Sequence, residues 1–230
     1  MVKAPKRPRY ANSGGALAVL QSRQVELGVK LSRAHWSWGL AYFDIERPAF
    51  GDRPSATGGT AGCDSDAQPG SCIHRQDGVA RHRGLESEAA LRAGAWLWQA
   101  GVQWLHARRQ GSANTAVNGQ RPTNVPGATL KLHSRFDVAA LPGFSIAAEL
   151  LAEGDRMVLE DNSVRIPGYA KFGAQLRYAM HRGSTALVWR AGIDNLLDRR
   201  AWRESPPQFG HVYLFPLAPR SVSFSVEAAL

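Results

Sequence analysis

The side chains best able to bind a charged partner are arginines that gather in a few polar stretches of this sequence. They lie between residues 47 and 83, near residues 106–127 and near residues 199–211. The second stretch has no acidic residue between 106 and 127. Clustered positive side chains attract anions because their fields add. The candidate binding residues are Arg53, Arg75, Arg81, Arg108, Arg109, Arg121, Arg200 and Arg203.

Residue types that enzymes use for catalysis are present but are not grouped. The seven histidines are scattered, and none stands in a His-x-x-x-His or Ser/His/Asp arrangement. Asn195 and Asp198 are close in sequence, but we interpret Asp198 as a structural residue that closes a strand into its loop. The sequence therefore predicts that the protein is not an enzyme and that it has no metal site and no resident cofactor.

The two cysteines, Cys63 and Cys72, lie in the segment GTAGCDSDAQPGSC. No second pair completes a zinc site of the usual spacing. We predict a local disulfide between them, formed in an oxidising compartment. The alternative is a pair of free thiols in a cytosolic loop, where disulfides are rare.

The elements that position these residues are strands, because apolar side chains recur with a period of two rather than 3.6. Val25, Leu27, Val29 and Leu31 share one face of the first strand, for example. No run approaches the roughly 18 apolar residues of a membrane-spanning helix. About nine strands are predicted, at 24–32, 36–46, 84–93, 96–108, 128–138, 144–153, 169–179, 186–196 and 220–230.

The connections between these strands alternate between short and long. Outer-membrane barrels show this asymmetry, with short periplasmic turns and long extracellular loops. We therefore predict an all-β fold, an antiparallel up-and-down meander that is part of a large transmembrane β-barrel. The short connections are 33–35, 94–95, 141–143 and 181–184, and the long ones are 47–83, 109–127, 154–168 and 199–211. The convex, lipid-facing side should carry Val25, Leu27, Trp38, Leu130, Leu132, Phe172, Leu176, Phe224 and Val226.

The charge leaves a second interpretation open. The formal net charge is +9 and the pI is about 10.1, values that suit a basic soluble β-protein that binds nucleic acid or another polyanion. Against this, the basic residues cluster in the connections and do not form a continuous stripe, so we predict no nucleic-acid partner. A secretory signal has an apolar stretch after its basic start, but none follows the basic segment MVKAPKRPRY. We expect the chain to belong to a longer, signal-bearing precursor.

Four segments together resemble the C-terminal barrel strands of TonB-dependent outer-membrane receptors. The segment SRQVELGVK at 22–30 is similar to a barrel strand of the siderophore receptors in this family. IPGYAKFGAQLRY, AGIDNLLDRRAW and YLFPLAPRSVSFSV follow in the family's order. The residues that match the family's motifs in the last two segments are Asn195, Asp198, Pro219 and Arg220.

The resemblance implies uptake of a ferric siderophore across the outer membrane of a Gram-negative bacterium, powered through the TonB system. Implied partners are membrane lipid, lipopolysaccharide and the siderophore, which would meet the arginine-rich loops. Nothing here resembles the N-terminal plug domain through which such receptors engage TonB. We divide the chain into residues 1–21, the remnant of an extracellular loop, and residues 22–230, the C-terminal part of the barrel. Nine strands do not close the family's 22-stranded barrel, so this piece is not expected to transport alone.

Overall fold

Nine long strands form one antiparallel sheet in which every strand pairs with its neighbours along the chain. The computed structural model describes residues 3, 6, 10–17, 19–55, 63, 69–208 and 211–229. The predicted meander is confirmed, whereas Leu230, its predicted last residue, lies outside the described residues. The strands are β1 (Arg23–Ser32), β2 (Trp36–Pro54), β3 (Cys72–Ala93), β4 (Trp96–Gln110), β5 (Ala128–Asp137), β6 (Phe144–Glu153), β7 (Tyr169–Arg182), β8 (Thr185–Asp194) and β9 (Ser221–Ala229).

The two faces of the sheet differ in polarity because side chains alternate along each strand. One row of register partners joins Leu27, Tyr42, Leu85 and Trp104 across β1 to β4. The adjacent row of register partners, which includes Glu86, points to the opposite face. The polar face lines a trough of about 1070 Å³, so it is the concave one. The register places all nine residues predicted for the convex side on this apolar face.

The sheet is an open wall, and no second sheet of comparable size packs against it in the described part of the chain. Large apolar side chains therefore stay uncovered, with Trp104 72% and Phe224 68% exposed. Several buried apolar residues, such as Val117 and Leu217, lie in the long connections. The core that this chain does possess is at the end of the wall where these connections lie, which we call the loop end.

The first long connection is shorter than predicted. Instead of one loop over 47–83, β2 continues to Pro54 and β3 begins at Cys72. The two extensions pair with each other across a register shift between Pro48 and Phe50. Hydrogen bonding between them satisfies backbone groups that a free loop would leave to water, so the hairpin extends well beyond the apolar part of the wall.

The remaining connections match the predicted asymmetry. At the opposite end, which we call the turn end, Gly94, Gly143 and Gly183 have positive φ angles that suit tight turns. A side chain at Gly143 would lie 2.0 Å from the Ala179 carbonyl oxygen, so only glycine fits there. At the loop end lie three short two-stranded ladders and the 3₁₀ turn Thr115–Val117. No helix long and apolar enough to span a bilayer occurs among the described residues.

Candidate functional site

Asp77 is the centre of a buried cluster that joins two of the connections at the loop end. Its carboxylate accepts hydrogen bonds from the Arg53 guanidinium, with Nε at 2.9 Å, and from the Ser112 hydroxyl. The Ala113 backbone amide donates to the same carboxylate at 2.9 Å. Burial alone would raise the pKa of Asp77, but these hydrogen bonds outweigh it and lower the pKa to about 2. The carboxylate is therefore ionised and fixes residues 112–113 against the β2–β3 hairpin.

Two further ion pairs connect the β4–β5 segment to the segment between β6 and β7. The Arg109 guanidinium donates to Glu160 at 3.0 Å, and Arg121 donates to Asp155 at 2.8 Å. Asn162 accepts from the Arg121 amide and donates to its carbonyl, so the two segments are also joined through the backbone. The stretch from residue 106 to residue 127 has no acid of its own, and its Arg109 and Arg121 are paired by acids of the connection between β6 and β7.

Residues 10–12 add a third set of contacts on the extended hairpin. The Tyr10 hydroxyl donates to Asp52 at 2.6 Å, and His74 lies 2.7 Å from the same carboxylate. Asn12 exchanges two hydrogen bonds with the backbone of His74, and Ala11 donates to the carbonyl of Cys72. These contacts cover part of β3 that β4 does not reach.

The predicted disulfide is confirmed between Cys63 and Cys72, whose Cα atoms are 5.7 Å apart. Cys72 is fully buried at the start of β3. The bridge therefore attaches Cys63, in the β2–β3 connection, to the first residue of β3.

The eight candidate arginines divide into three environments. Five of them lie on the long strands β2, β3 and β4, which extend further than their apolar patterns, and Arg203 lies on the short strand Trp202–Glu204. Arg53, Arg109 and Arg121 are held in the ion pairs described above. Among the described residues, Arg75 and Arg200 have no acidic partner and their side chains are exposed, whereas Arg203 pairs with the adjacent Glu204.

Arg81 and Arg108 occupy the third environment, on the convex face. They are register partners on β3 and β4, and Arg83 and His106 form the next pair on that face. Arg81 donates two hydrogen bonds to Asp44 at 2.8 and 2.6 Å, and Arg83 donates a third at 3.0 Å. These side chains point away from the concave trough.

The family-motif residues Asn195, Asp198 and Arg220 are brought together by hydrogen bonds. Asn195 is fully buried, and its amide donates to the carbonyls of Arg199 and Ala218 while its oxygen accepts from the Arg199 amide. Asp198 accepts from the Arg220 backbone amide at 3.0 Å. Pro219 lies beside these contacts, just before β9. The motif thus fixes the connection between β8 and β9, as the structural interpretation of Asp198 expects.

The concave face carries charged side chains at mid-strand positions. Lys171 pairs with Asp194 at 2.8 Å, and Gln103 donates to Glu86. Lys131, Glu88 and Glu26 also line the trough. The described residues contain no group of three or more His, Cys, Asp or Glu side chains that could hold a metal ion. The trough offers polar contacts over several strands rather than a compact catalytic centre.

Comparison with known proteins decides what this wall belongs to. A family model described as TonB dependent receptor-like, beta-barrel, matches residues 7–196, which is more than half of the chain. The chain belongs to this family. The apolar convex face and polar concave face are thus those of a TonB-dependent receptor barrel, and the open edges at β1 and β9 show that the nine strands do not close it.

Individual relatives of this TonB-dependent receptor chain agree. The ferrichrome receptor FcuA of Yersinia enterocolitica is 27% identical over 218 residues, which are 94% of this chain and 26% of FcuA. Among solved structures, the ferric preacinetobactin receptor BauA of Acinetobacter baumannii is similar with a TM-score of 0.76 and 22% identity, over 98% of this chain and 31% of BauA. The ferric yersiniabactin receptor FyuA of Yersinia pestis has a TM-score of 0.67 and 19% identity, over 89% and 29% respectively. The chain therefore spans about a quarter to a third of these relatives.

The sequence did not reveal the acidic residues that organise the loop end of the receptor. Asp77 is separated from Arg53 by 24 residues, and Arg109 from Glu160 by 51. Neither spacing follows a local motif, so no sequence signal identified the pairs. One available hint was the excess of arginine in a segment without acids, since buried arginines require a partner from elsewhere.

Proposed function

We propose that this chain is the C-terminal part of the barrel wall of a receptor that takes up a ferric siderophore across the bacterial outer membrane. The observation that carries the proposal is the family match on a wall whose apolar face is uncovered over nine strands. The names of FcuA, BauA and FyuA agree in substrate class. Transport belongs to the whole receptor, of which this chain supplies one part and no catalytic function.

Supporting this placement, the convex face carries aromatic side chains near both ends of the apolar band. Trp104 and Tyr42 lie toward the loop end, and Trp36 and Trp96 lie toward the turn end. Aromatic residues are enriched where a barrel meets the membrane–water interfaces. We place the loop end outside the Gram-negative cell, next to lipopolysaccharide, and the turn end in the periplasm. Reaching that location requires a longer, signal-bearing precursor.

The two-part division of the chain is proposed on the same basis. Residues 1–21 would be the end of an extracellular loop, and residues 22–230 would be barrel. The contacts of Tyr10 and Asn12 with the β2–β3 hairpin support an extracellular position for that segment.

Energy input would come from the inner membrane through TonB, by way of the plug region of the whole receptor. The concave trough is where such a plug would lie against the wall. Its charged residues, such as Glu86, Glu88 and Lys131, can form hydrogen bonds with a polar partner. An apolar plug surface would leave these charges buried without partners.

For the ligand, the exposed arginines Arg75 and Arg200 are the better candidates for capturing an anionic ferric chelate. Their guanidinium groups have no acidic partner among the described residues, so their positive charge remains available to an incoming anion. Arg53, Arg109 and Arg121 would instead fix the loops that shape the entrance, because their charges are already compensated. Arg203 and its neighbour Glu204 largely cancel each other's field.

A basic soluble β-protein that binds a polyanion is the second candidate, supported by the net charge of +9. It is disfavoured because a soluble wall would expose many large apolar side chains together, including Val25, Leu27, Trp104 and Phe224. Partitioning separates the two proposals. The receptor requires detergent or lipid to stay dispersed, whereas a soluble binder remains in the aqueous phase.

The uptake proposal is tested with the full-length receptor that contains this chain. A strain that lacks its other siderophore receptors is supplied with ferrichrome and with the ferric siderophores named for BauA and FyuA, labelled with radioactive iron. We expect TonB-dependent accumulation of one of these or of a related chelate, and none after deletion of the receptor gene. The proposal would be contradicted if the deletion strain took up every ferric siderophore of a broad panel at the normal rate.

A further inference from the structure

The concave face of β1 to β4 carries a small apolar depression on the loop-end side of the trough. Its floor is Phe43, whose ring lies against Gly84 and is only 7% exposed. A Cβ atom at position 84 would lie 2.5 Å from the end of that ring, so only glycine leaves room for it. Ile45 on β2 and Leu105 on β4 flank the floor. The sheet thus presents an apolar surface inside an otherwise polar trough.

Opposite charges lie at the two edges of this depression. Toward the turn end are Glu26 and Glu86, and each of these carboxylates accepts a hydrogen bond from a neighbouring glutamine side chain. Toward the loop end lies Arg47, whose side chain is exposed and has no acidic partner among the described residues. An anionic group in the depression is therefore attracted to the loop-end edge and repelled from the other edge.

His82 adds a polar group beside the floor. It is the register partner of Ile45 on β2 and of Ala107 on β4. Its buried Nδ1 atom has no hydrogen-bond partner within the described part of the chain. Because buried polar atoms are nearly always hydrogen-bonded, this part of the wall requires a further polar group to complete it. An apolar floor with a few polar groups around it is typical of ligand sites.

The size of the depression limits what can occupy it. Its volume is about 250 Å³. Sites that enclose a whole small molecule measure about 300–1,000 Å³, so this one accommodates a single arm of a larger chelate. An aromatic arm suits the surroundings best, because its flat ring can pack against Phe43 and Leu105 while its iron-binding oxygens face Arg47. The hydroxamate arm of a neutral ferric complex supplies neither the ring nor the net charge.

We propose that Phe43, Leu105 and Arg47 form a specificity subsite that selects ferric chelates with anionic aromatic arms. The inference rests on the proposed siderophore uptake and narrows its ligand class. A side chain of the plug is the alternative occupant. The charges favour the ligand, because the unpaired cation lies on the side of the depression that faces the entrance. A polar plug finds its partners farther toward the turn end, in the charged row that contains Glu88 and Lys131.

The test uses the purified full-length receptor in detergent and three synthetic ferric chelates built on one tripodal scaffold. Catecholamide arms give an anionic aromatic complex, hydroxypyridinone arms give a neutral aromatic complex, and hydroxamate arms give a neutral complex without rings. Isothermal titration calorimetry measures the affinity for each chelate. The unmodified receptor should bind the anionic aromatic complex about tenfold more tightly than the neutral aromatic one. The neutral aromatic complex should in turn bind about tenfold more tightly than the hydroxamate complex.

Two substitutions separate the contribution of the ring from that of the charge. Leu105→Ala should weaken binding of both aromatic complexes about tenfold and leave the hydroxamate complex unchanged. Arg47→Gln should weaken only the anionic complex, also about tenfold, and more at low salt than at high salt. The matched controls are Leu151→Ala and Arg177→Gln, which lie on the concave face outside the depression. These controls should change each affinity by about twofold at most.

Further variants keep the test decisive if Leu105→Ala folds poorly. Leu105→Met conserves volume and should bind all three chelates as the unmodified receptor does. Leu105→Trp fills the depression, so it should remove the preference for aromatic complexes without changing the affinity for the hydroxamate complex. Equal affinities of the unmodified receptor for the two neutral complexes would overturn the subsite. An equal loss for all three chelates in the Leu105 variants would also overturn it, because that result is expected if the plug occupies the depression.

The same measurements separate this inference from the uptake proposal. If the receptor binds the hydroxamate complex best and the variants bind every chelate normally, the subsite is wrong while the uptake proposal stands. If the receptor binds none of the three chelates and no natural ferric siderophore, the uptake proposal fails and the subsite fails with it.

Discussion

The Asp77 cluster makes the most specific prediction about the loop end. Replacing Asp77 by Asn keeps the size of the side chain but removes the charge that pairs with Arg53 and attracts Arg109, which lies 3.9 Å away. Breaking a buried ion pair by removing one partner costs about 3–5 kcal/mol, because the other charge stays buried without compensation. Part of that cost is recovered if the arginines move toward water, so we expect local opening to become easier by about 3 kcal/mol.

Hydrogen–deuterium exchange of the full-length receptor measures this opening. A change of 3 kcal/mol corresponds to roughly a 100-fold faster exchange of the protected amides in residues 112–120. The strands should not change, because their hydrogen bonds do not depend on the cluster. The control is Asp161→Asn, since among the described residues that carboxylate accepts side-chain and backbone hydrogen bonds from Ser163 within its own turn and has no partner on another connection. Unchanged exchange in residues 112–120, or equal acceleration throughout β5 and β6, would refute the argument.

The same cluster predicts a pH dependence with a defined sign. The pKa of Asp77 falls from 3.8 to about 2 on folding, so the folded state favours the ionised form. Its contribution, about 2 kcal/mol, is complete above pH 4 and is lost as the pH falls through the folded pKa. Exchange in residues 112–120 should therefore accelerate between pH 4 and pH 2, after correction for intrinsic rates. The Asp77→Asn variant should lack this component.

Three other predictions concern separate parts of the wall. Asn195→Ala removes three hydrogen bonds from a fully buried side chain, so the receptor should lose about 3 kcal/mol of stability. The loss is measured in detergent gels as a lower temperature at which the band of the folded protein disappears. An unchanged temperature would contradict the structural interpretation of the motif. Reducing the bridge between Cys63 and Cys72 should destabilise the β2–β3 connection by roughly 2–3 kcal/mol, measured as faster proteolysis of that segment alone. Replacing Arg75 and Arg200 by Gln should slow ferric siderophore association at low salt and have little effect at 1 M salt, where the Debye length is about 3 Å. An equal decrease in the association rate at both salt concentrations would rule out electrostatic steering.

Much of the wall could be predicted from the sequence because its determinants are local. Alternation along a segment such as Arg23–Ser32 sets which side chains share a face, whatever the partner strand is. Tight turns and long connections are likewise encoded in short stretches, and glycine at position 143 marks one of them. The disulfide could be predicted because both cysteines lie in one short stretch of sequence. The motif around Asn195 could be recognised because it directly follows the strand that it ends.

The environments of the arginines were decided only by the tertiary structure. Arg108 and Arg109 are neighbours in sequence, yet Arg108 lies on the convex face and Arg109 is buried beside Glu160, because adjacent residues of a strand point to opposite faces. From the sequence, both arginines were assigned to one basic loop. Their different environments become clear only when the length of β4 is known. The acids that pair with Arg53 and Arg109 come from other connections, which the register of the sheet brings together at the loop end. Sequence thus determined the faces of each strand, whereas the extension and pairing of the strands decided which charges remain available.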